Sequence, residues 1–300
     1  MDYKKIIKNK NIRFFILKLL SFIPDKTMLK IQYRIKMEEK LNLKTPKTFT
    51  EKIQWYKLNY RNPLMTQCAD KYEVRKYIES KGLGDILNGL YGVYENGDEI
   101  DFERLPDKFV IKTTNGGGGE NIIICEDKER LDIAKTRKLL NKWMKDKNKS
   151  QGREWAYDEA IPKIIIENFL EDKNNKFNGI DDYKFICFNG QVEYIVLDVD
   201  RQIEHKRNIY DKNWNYLKVD TDCKTLGDIK EKPKNLDEMK KIAEKLAEDF
   251  PFVRVDLYDI DNEIIFGELT FYPWSGYVKF NPKNFDYEMG EKFILFVKNT

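Results

Sequence analysis

The chain has 300 residues, 41% hydrophobic and 35% charged, which is enough apolar content for one large or two medium cores. Basic and acidic residues number 54 and 51, a formal net charge of +3, and no clustered basic face marks a nucleic-acid partner. One histidine, His205, and four cysteines without CxxC spacing exclude multi-histidine zinc sites and redox dithiols, and a reducing cytosol fits this thiol usage.

Lys4, Lys5, Lys8 and Lys10 precede an apolar stretch from Ile12 to Ile23 that is too short and interrupted to span a bilayer. No small-residue cleavage site follows it, and Pro24 ends it. Two readings stand: an amphipathic helix packed on the body, or an interfacial helix resting on anionic lipid. Residues 28–60 read as helical, with Thr48 or Thr50 as a cap and Glu51 in the first turn. Pro63 breaks the pattern. A further helix runs from Asp70 to Ile78 and closes at Gly82.

From Leu87 the period changes to that of strands. Leu90–Tyr94 and Phe109–Lys112 are short β-type runs. Asn115 to Gly119 is a glycine-rich turn, and Asn121–Cys125 is the returning strand, so the three form a hairpin. Residues 128–149 read as a charged helix, and Ile164–Leu170 as a strand running into a polar loop. Tyr183–Phe188 and Val192–Leu197 flank Asn189-Gly190, a strong hairpin signal. Residues 235–249 form an amphipathic helix. Val253–Tyr258 and Ile264–Leu269 pair around Asp259 to Glu263. Strands that come as hairpins between helices predict an antiparallel α+β fold. Cys125 and Cys187 lie in these apolar runs as buried thiols.

Four constellations carry chemistry. Gly116, Gly117, Gly118 and Gly119 remove every Cβ at a hairpin tip, so backbone amides can close on an anion. Lys112 stands just before them. No Gly-Lys-Ser/Thr follows, so this is not a P-loop, and a plain surface hairpin is the alternative. Asp256 and Glu268 lie on adjacent strands, where paired carboxylates need a cation between them; Mg²⁺ with phosphate is such a cation. Glu167 to Asp172 leaves a strand and can present backbone groups to a base, or is an ordinary strand end. Lys184 lies in an apolar strand, facing an anion or snorkelling to solvent.

In chain order these features resemble the ATP-grasp superfamily, and more narrowly its TupA-like branch of bacterial polysaccharide biosynthesis proteins. The resembling stretches are Pro46–Trp55, Asp70–Arg75, Leu105–Lys112, Asp182–Phe185 and Gly267–Pro273. The resemblance implies two α+β lobes with antiparallel sheets clasping ATP and Mg²⁺. Residues 1–62 would be an N-terminal helical segment, 63–160 the first lobe with its flap, and 161–300 the second lobe with the metal strands. Lys71 and Lys112 would hold ATP phosphates under the glycine flap. Glu167, Asn168, Phe169 and Leu170 would form the adenine hinge, with Glu171 or Asp172 near the ribose. Lys184 would stand beside the phosphates, Arg254 would face the transferred phosphoryl group, and Asp256 and Glu268 would hold Mg²⁺.

Two departures from the pattern stand out: Thr270 occupies a position often held by asparagine, and Thr114-Asn115 a segment that often holds histidine. The implied activity is ATP-dependent carboxylate–amine ligation through an acyl phosphate, joining an amine or amino acid to an acidic sugar of a capsule or cell-wall glycan. Arg201, His205, Lys206 and Arg207, and Trp274, Ser275 and Gly276, are the substrate candidates, although residues 201–207 read equally as an exposed loop. The location is cytoplasmic, with peripheral membrane contact through the N-terminal helix under its second reading. Two alternatives remain. Asp198-Val199-Asp200 and Asp220-Thr221-Asp222 supply the spacing of a glycosyltransferase, and a non-catalytic nucleotide-binding partner would need only the cleft. Oligomeric state is open.

Overall fold

Asn189-Gly190 and Asp261-Asn262 have φ of 51°, 78°, 53° and 68°, the left-handed pairs that let a two-residue turn follow the strand twist. They close two of the hairpins that organise the chain. The computed structural model describes residue 17 and residues 19–114, 121–145, 152–172, 179–200 and 204–295. In chain order its elements are α1 (Asp25–Met37), α2 (Phe49–Asn59), α3 (Pro63–Ala69), α4 (Val74–Ser80), β1 (Leu90–Tyr94), β2 (Phe109–Thr113) and β3 (Ile122–Cys125). Then come α5 (Ile133–Lys145), α6 (Trp155–Asp158), β4 (Ile164–Asn168), β5 (Asp182–Phe188), β6 (Gln191–Val199), β7 (Lys206–Asp211) and β8 (Tyr216–Leu217). The last are α7 (Leu236–Ala247), β9 (Phe252–Ile260), β10 (Glu263–Thr270) and α8 (Asn284–Lys292).

The fold is α+β, and every pairing between these strands is antiparallel. A four-stranded sheet has the order β1-β4-β2-β3 and a six-stranded sheet the order β10-β9-β5-β6-β7-β8. Strand alternation sorts side chains between the two faces of each sheet. In the first sheet Phe109, Ile111, Ile164 and Ile166 enter a core closed by Leu140 of α5. Lys112, Ile165 and Glu167, one position off, belong to the other face. In the second sheet Phe185, Cys187, Val253, Val255 and Leu257 are buried against α7, whose Leu236, Met239, Ile242, Ala243, Leu246 and Ala247 form an inward stripe. The opposite face carries Asp182, Lys184, Ile186 and Phe188 on β5, and Phe252, Arg254, Asp256 and Tyr258 on β9.

Helix α2 closes one end of that charged face. Thr48 accepts the Glu51 N–H and Glu51 reaches back to Thr48, a full capping box. Phe49 then packs on Phe252 at 5.2 Å between ring centroids, and Phe252 on Phe188 at 5.2 Å and Phe293 at 5.1 Å. The aromatic end excludes water, and the acids and bases lie beyond it.

Several boundaries differ from expectation. Pro63 opens α3 as its first residue, with Asn62 accepting the Leu64 N–H, because a helix's first N–H has no partner to lose. The helix expected from Asp70 begins at Val74. Asp70 Oδ1 instead takes the N–H groups of Tyr72 and Glu73 at 2.8 and 2.9 Å, a local bond that competes with the helix. Residues 128–149 hold a 3₁₀ turn before α5 starts at Ile133, and 146–149 lie outside the described residues. Lys206 and Arg207, expected in an exposed polar segment, open β7, in which Arg207, Asn208, Ile209 and Tyr210 are buried. The flap glycines Gly116, Gly117, Gly118 and Gly119, together with Arg201 and the stretch 12–16, also lie outside the described residues. Strand β4, though it follows residue 160, belongs to the four-stranded sheet.

Candidate active site

The register of β9 and β10 sets Asp256 opposite Glu268. A bulge at Gly267 turns both to one side; there a Cβ would sit 3.0 Å from the Asp256 carbonyl oxygen. The cation between these carboxylates is Arg254. Its Nη2 donates to Asp256 Oδ2 at 2.7 Å and Glu268 Oε1 at 2.8 Å, and its Nε to Asp256 Oδ1 at 2.7 Å. Lys184 on β5 donates to Asp256 Oδ2 at 2.7 Å and Asp182 Oδ2 at 2.5 Å. Asp182 is opposite Asp198 on β6, and Asp198 takes Nε and Nη2 of Arg207 at 2.6 and 3.0 Å. Seven charged side chains thus cross the sheet from Arg207 to Glu268, with opposite signs at each bonded contact. Asp182, Lys184, Asp198 and Asp256 are each at most 4% exposed. Charges at this depth survive only when paired.

Glu268 is the open end of the row. Its side chain is 40% exposed, and its Oε1 also accepts from Thr270 Oγ1 at 2.9 Å. Withdrawal from bulk water pushes the carboxyl up, but Arg254, Lys71 and Lys184, with the Thr270 hydroxyl, outweigh this and hold it at about 2. Burial is also the largest influence on Asp256, whose carboxyl it pushes up against the pull of Arg254 and Lys184.

Lys71 comes from the turn before α4, and its backbone N–H donates to Thr114 O at 3.1 Å. Burial pushes its ammonium down, Glu268 pulls it back up, Lys112 pushes it down, and Asp70 and Glu167 pull it up. Lys71 is thus within electrostatic reach of Glu268 of one sheet and of Lys112 and Glu167 of the other. Lys112 donates to Glu167 Oε2 at 2.8 Å, and Arg75 is 4.0 Å from Glu167 Oε1.

At the hinge, Asn168 N–H donates to Gly89 O at 2.9 Å and Asn168 O accepts from Asn88 Nδ2 at 3.0 Å. Phe169 and Leu170 continue past these bonds, and Lys108 lies 5.7 Å from the Phe169 ring centroid. Asn168 and Leu170, with Ile264 and Ile265 of β10, line a cleft of 690 Å³. Asp172 lies at the end of the described part of this loop.

The turn after β10 runs Pro273–Gly276. Trp274, Ser275 and Gly276 have φ of 51°, 55° and 65°. Two non-glycine residues in that region cost on the order of 1–3 kcal/mol each, so the surroundings must hold the turn. The Arg207 guanidinium lies 5.5 Å from the Trp274 ring centroid, which joins the row's far end to this turn. His205 Nε2 is 3.2 Å from Asp198 Oδ1, and Lys206 opens β7.

Sequence reasoning missed Asp182 and Asp198 as partners in the row. Their signal was alternation, with acids two residues from Lys184 and in register across a hairpin. Among the described residues no group of three or more His, Cys, Asp and Glu is arranged to hold a metal.

The profile of the TupA-like ATP-grasp family matches residues 51–294, and the chain belongs to that family. No curated protein matches the chain in sequence. Among solved structures, it is similar to D-alanine–D-alanine ligase from Bacillus anthracis (18% identity, 68% of this chain and 56% of that one, TM-score 0.43). It is also similar to the same enzyme from Helicobacter pylori (14%, 78% and 60%, TM-score 0.44). A third match is the ATP-grasp ligase PsnB with minimal precursor, Mg and ADP (15%, 85% and 64%, TM-score 0.39). The chain spans about 56 to 64% of the length of these three relatives.

Proposed function

We propose that the chain is an ATP-dependent carboxylate–amine ligase that holds Mg·ATP between its two sheets. The observation that carries this reading is the cluster of Lys184, Arg254, Asp256 and the half-exposed Glu268 on one sheet face, with Lys71 within electrostatic reach of Glu268 and of Lys112 and Glu167 of the other sheet. Such a position suits a polyphosphate. Lys71, Lys112 and Lys184 would take phosphate oxygens. Lys112 now rests on Glu167, and Lys184 on Asp182 and Asp256; a phosphate of higher charge would draw them over. Phe169 and Leu170 would face the adenine, with Glu167 and Asn168 fixing the strand end and Asp172 near the ribose. Gly116 to Gly119 would cover the phosphates. On this reading the lobes meet at the hinge after Asn168, since β4 belongs to the first sheet.

The donor set fits Mg²⁺, which needs few carboxylates when nucleotide phosphates and water complete its shell. Glu268, open on one side, would hold it, and Asp256 would join once Lys184 or Arg254 turns to phosphate. When bound, the ion neutralises phosphate charge. Arg254, held flat by Asp256 and Glu268, would face the transferring phosphoryl group and stabilise its spreading charge. The substrate carboxylate attacks the γ-phosphorus, giving an acyl phosphate and ADP. The amine nitrogen then attacks the acyl carbon, phosphate leaves, and the amine's proton passes to solvent.

The acceptor class, an acidic sugar of a surface polysaccharide joined to an amine or amino acid in the cytoplasm, rests on the branch resemblance. Arg207 and Trp274, with Ser275 and Gly276, would border it. Peripheral contact with an anionic membrane is supported by Leu19, Phe22, Ile31 and Ile35, which are exposed near Lys26, Lys30 and Arg34; no helix among the described residues is long and apolar enough to cross a membrane. The glycosyltransferase reading draws no support from Asp198, which is committed to Arg207. The test is phosphate release from ATP across a panel of acids and amines. Release that needs ATP and both co-substrates supports the ligase. UDP release from a UDP-sugar without ATP refutes it, and tight ATP binding with no turnover favours a non-catalytic partner.

A further inference from the structure

Helix α2 sends a lysine into the core. Lys57 is 1% exposed, in a helix whose Ile53, Gln54 and Tyr56 are also buried. Its ammonium donates to Ser275 O at 2.9 Å, Ser275 Oγ at 3.1 Å and Gly152 O at 2.9 Å, and lies 3.3 Å from Glu154 Oε1. The Ser275 hydroxyl donates to that same Glu154 oxygen. One turn earlier, Gln54 Nε2 donates to Ser275 O at 3.1 Å and Gly276 O at 2.9 Å. Burial pushes the Lys57 ammonium down, and Glu154 opposes it.

Most of these bonds end on Ser275 and Gly276, residues with left-handed backbone. A turn of Trp274 and Ser275 at φ near +50° relaxes unless its carbonyls are held, and here Ser275 O is held by two donors from α2. The same turn carries Trp274 against Arg207, at the end of the charged row. A lysine buried for packing alone would be replaced at lower cost by an apolar residue. This one spends all three of its protons on one loop and on the segment that leads from α5 toward β4.

We infer that Lys57 is a positioning residue: with Gln54 and Glu154 it fixes the 273–276 turn, so that helix α2 sets the acceptor-side wall of the active site. The functional half of this inference rests on the ligase reading above, and the structural half does not. Lys57 touches no reacting atom; it acts through Trp274 and Ser275.

The test uses full-length protein labelled with fluorotryptophan and read by ¹⁹F NMR, with the Trp274 signal assigned by Trp274→Phe. Lys57→Met is expected to move and broaden the Trp274 resonance while Trp143 and Trp214 hold theirs, with the Kd for Mg·AMPPNP unchanged. Because Lys57→Met leaves Glu154 buried without its ammonium, Lys57→Met/Glu154→Gln is the companion variant. The Trp274 change is expected to persist there, since the ammonium bonds to the carbonyls are still missing. An unmoved Trp274 signal, its recovery in the double variant, or equal movement at Trp143 and Trp214 overturns the inference. A changed Kd overturns its assignment to the acceptor side. If the wild type fails to bind Mg·AMPPNP, the ligase reading falls and the ¹⁹F result still decides whether Lys57 holds the turn.

Discussion

Lys184→Met is the sharpest perturbation of the charged row, because methionine keeps most of the stem volume and removes only the charge. The ammonium bonds Asp182 at 2.5 Å and Asp256 at 2.7 Å, and all three side chains are buried. Removing one partner of a buried ion pair costs about 3–5 kcal/mol. At roughly 2–4 °C per kcal/mol for a chain of this size class, the expected fall in Tm is roughly 10 °C. The pH dependence has a definite sign. Burial already pushes the Asp256 carboxyl up and Lys184 opposes it, so without Lys184 its folded pKa rises further. A carboxyl with a raised folded pKa destabilises as pH climbs past its unfolded value of about 3.9. The variant is therefore closest to wild type at low pH and furthest from it near neutrality. Differential scanning fluorimetry at pH 5 and 7.5 measures this. A Tm equal to wild type, or a deficit that is the same at both pH values, refutes the view that Lys184 neutralises a buried acid pair.

Glu268→Gln keeps the fold, since the side chain is half-open and its Arg254 and Thr270 contacts accept an amide, but abolishes Mg·ATP-dependent turnover; near-normal phosphate release from this variant refutes the metal assignment. Burial pushes the Asp198 carboxyl up, but Arg207 wins and holds it at about 2. That acid therefore contributes about 2 kcal/mol above pH 4, and the contribution is lost as pH falls from about 4 to 2. Urea unfolding between pH 2.5 and 6 should show this slope, and Asp198→Asn should flatten it; an unchanged slope counts against the Arg207 clamp. Gly290→Ala should destabilise by about 1–3 kcal/mol or more, because its Cβ would meet Lys47 O at 2.1 Å and Phe49 N at 2.9 Å. Equal urea midpoints would mean that α8 does not lie against the start of α2.

Much of the fold was legible because its signals are local. Asn189-Gly190 and the turn at Asp261-Asn262 name hairpins by themselves, and Thr48 with Glu51 names a helix start. What was not legible depended on pairing across the sheet. The start of β7 read as a polar loop because Lys206 and Arg207 are charged; Arg207 and Asn208 are buried through Asp198 and Asp228 O, partners that only the folded sheet brings to them. Asp256 and Glu268 were placed on facing strands, as they are, with Mg²⁺ expected as the cation between them. Spacing could not show that Arg254, two residues from Asp256, is itself the cation there. Lys57 left no trace either, because a lysine in a Lys-rich helix looks solvated until the 273–276 turn is folded against it.

The central claim is a Mg·ATP site between the two sheets. Isothermal titration of the full-length protein with AMPPNP, with and without Mg²⁺, tests it most directly, with a UDP-sugar as the competing ligand. Saturable binding of AMPPNP is expected, strengthened by Mg²⁺, weakened by Lys71→Met and unaffected by the UDP-sugar. Saturable binding of the UDP-sugar with no binding of AMPPNP would contradict it.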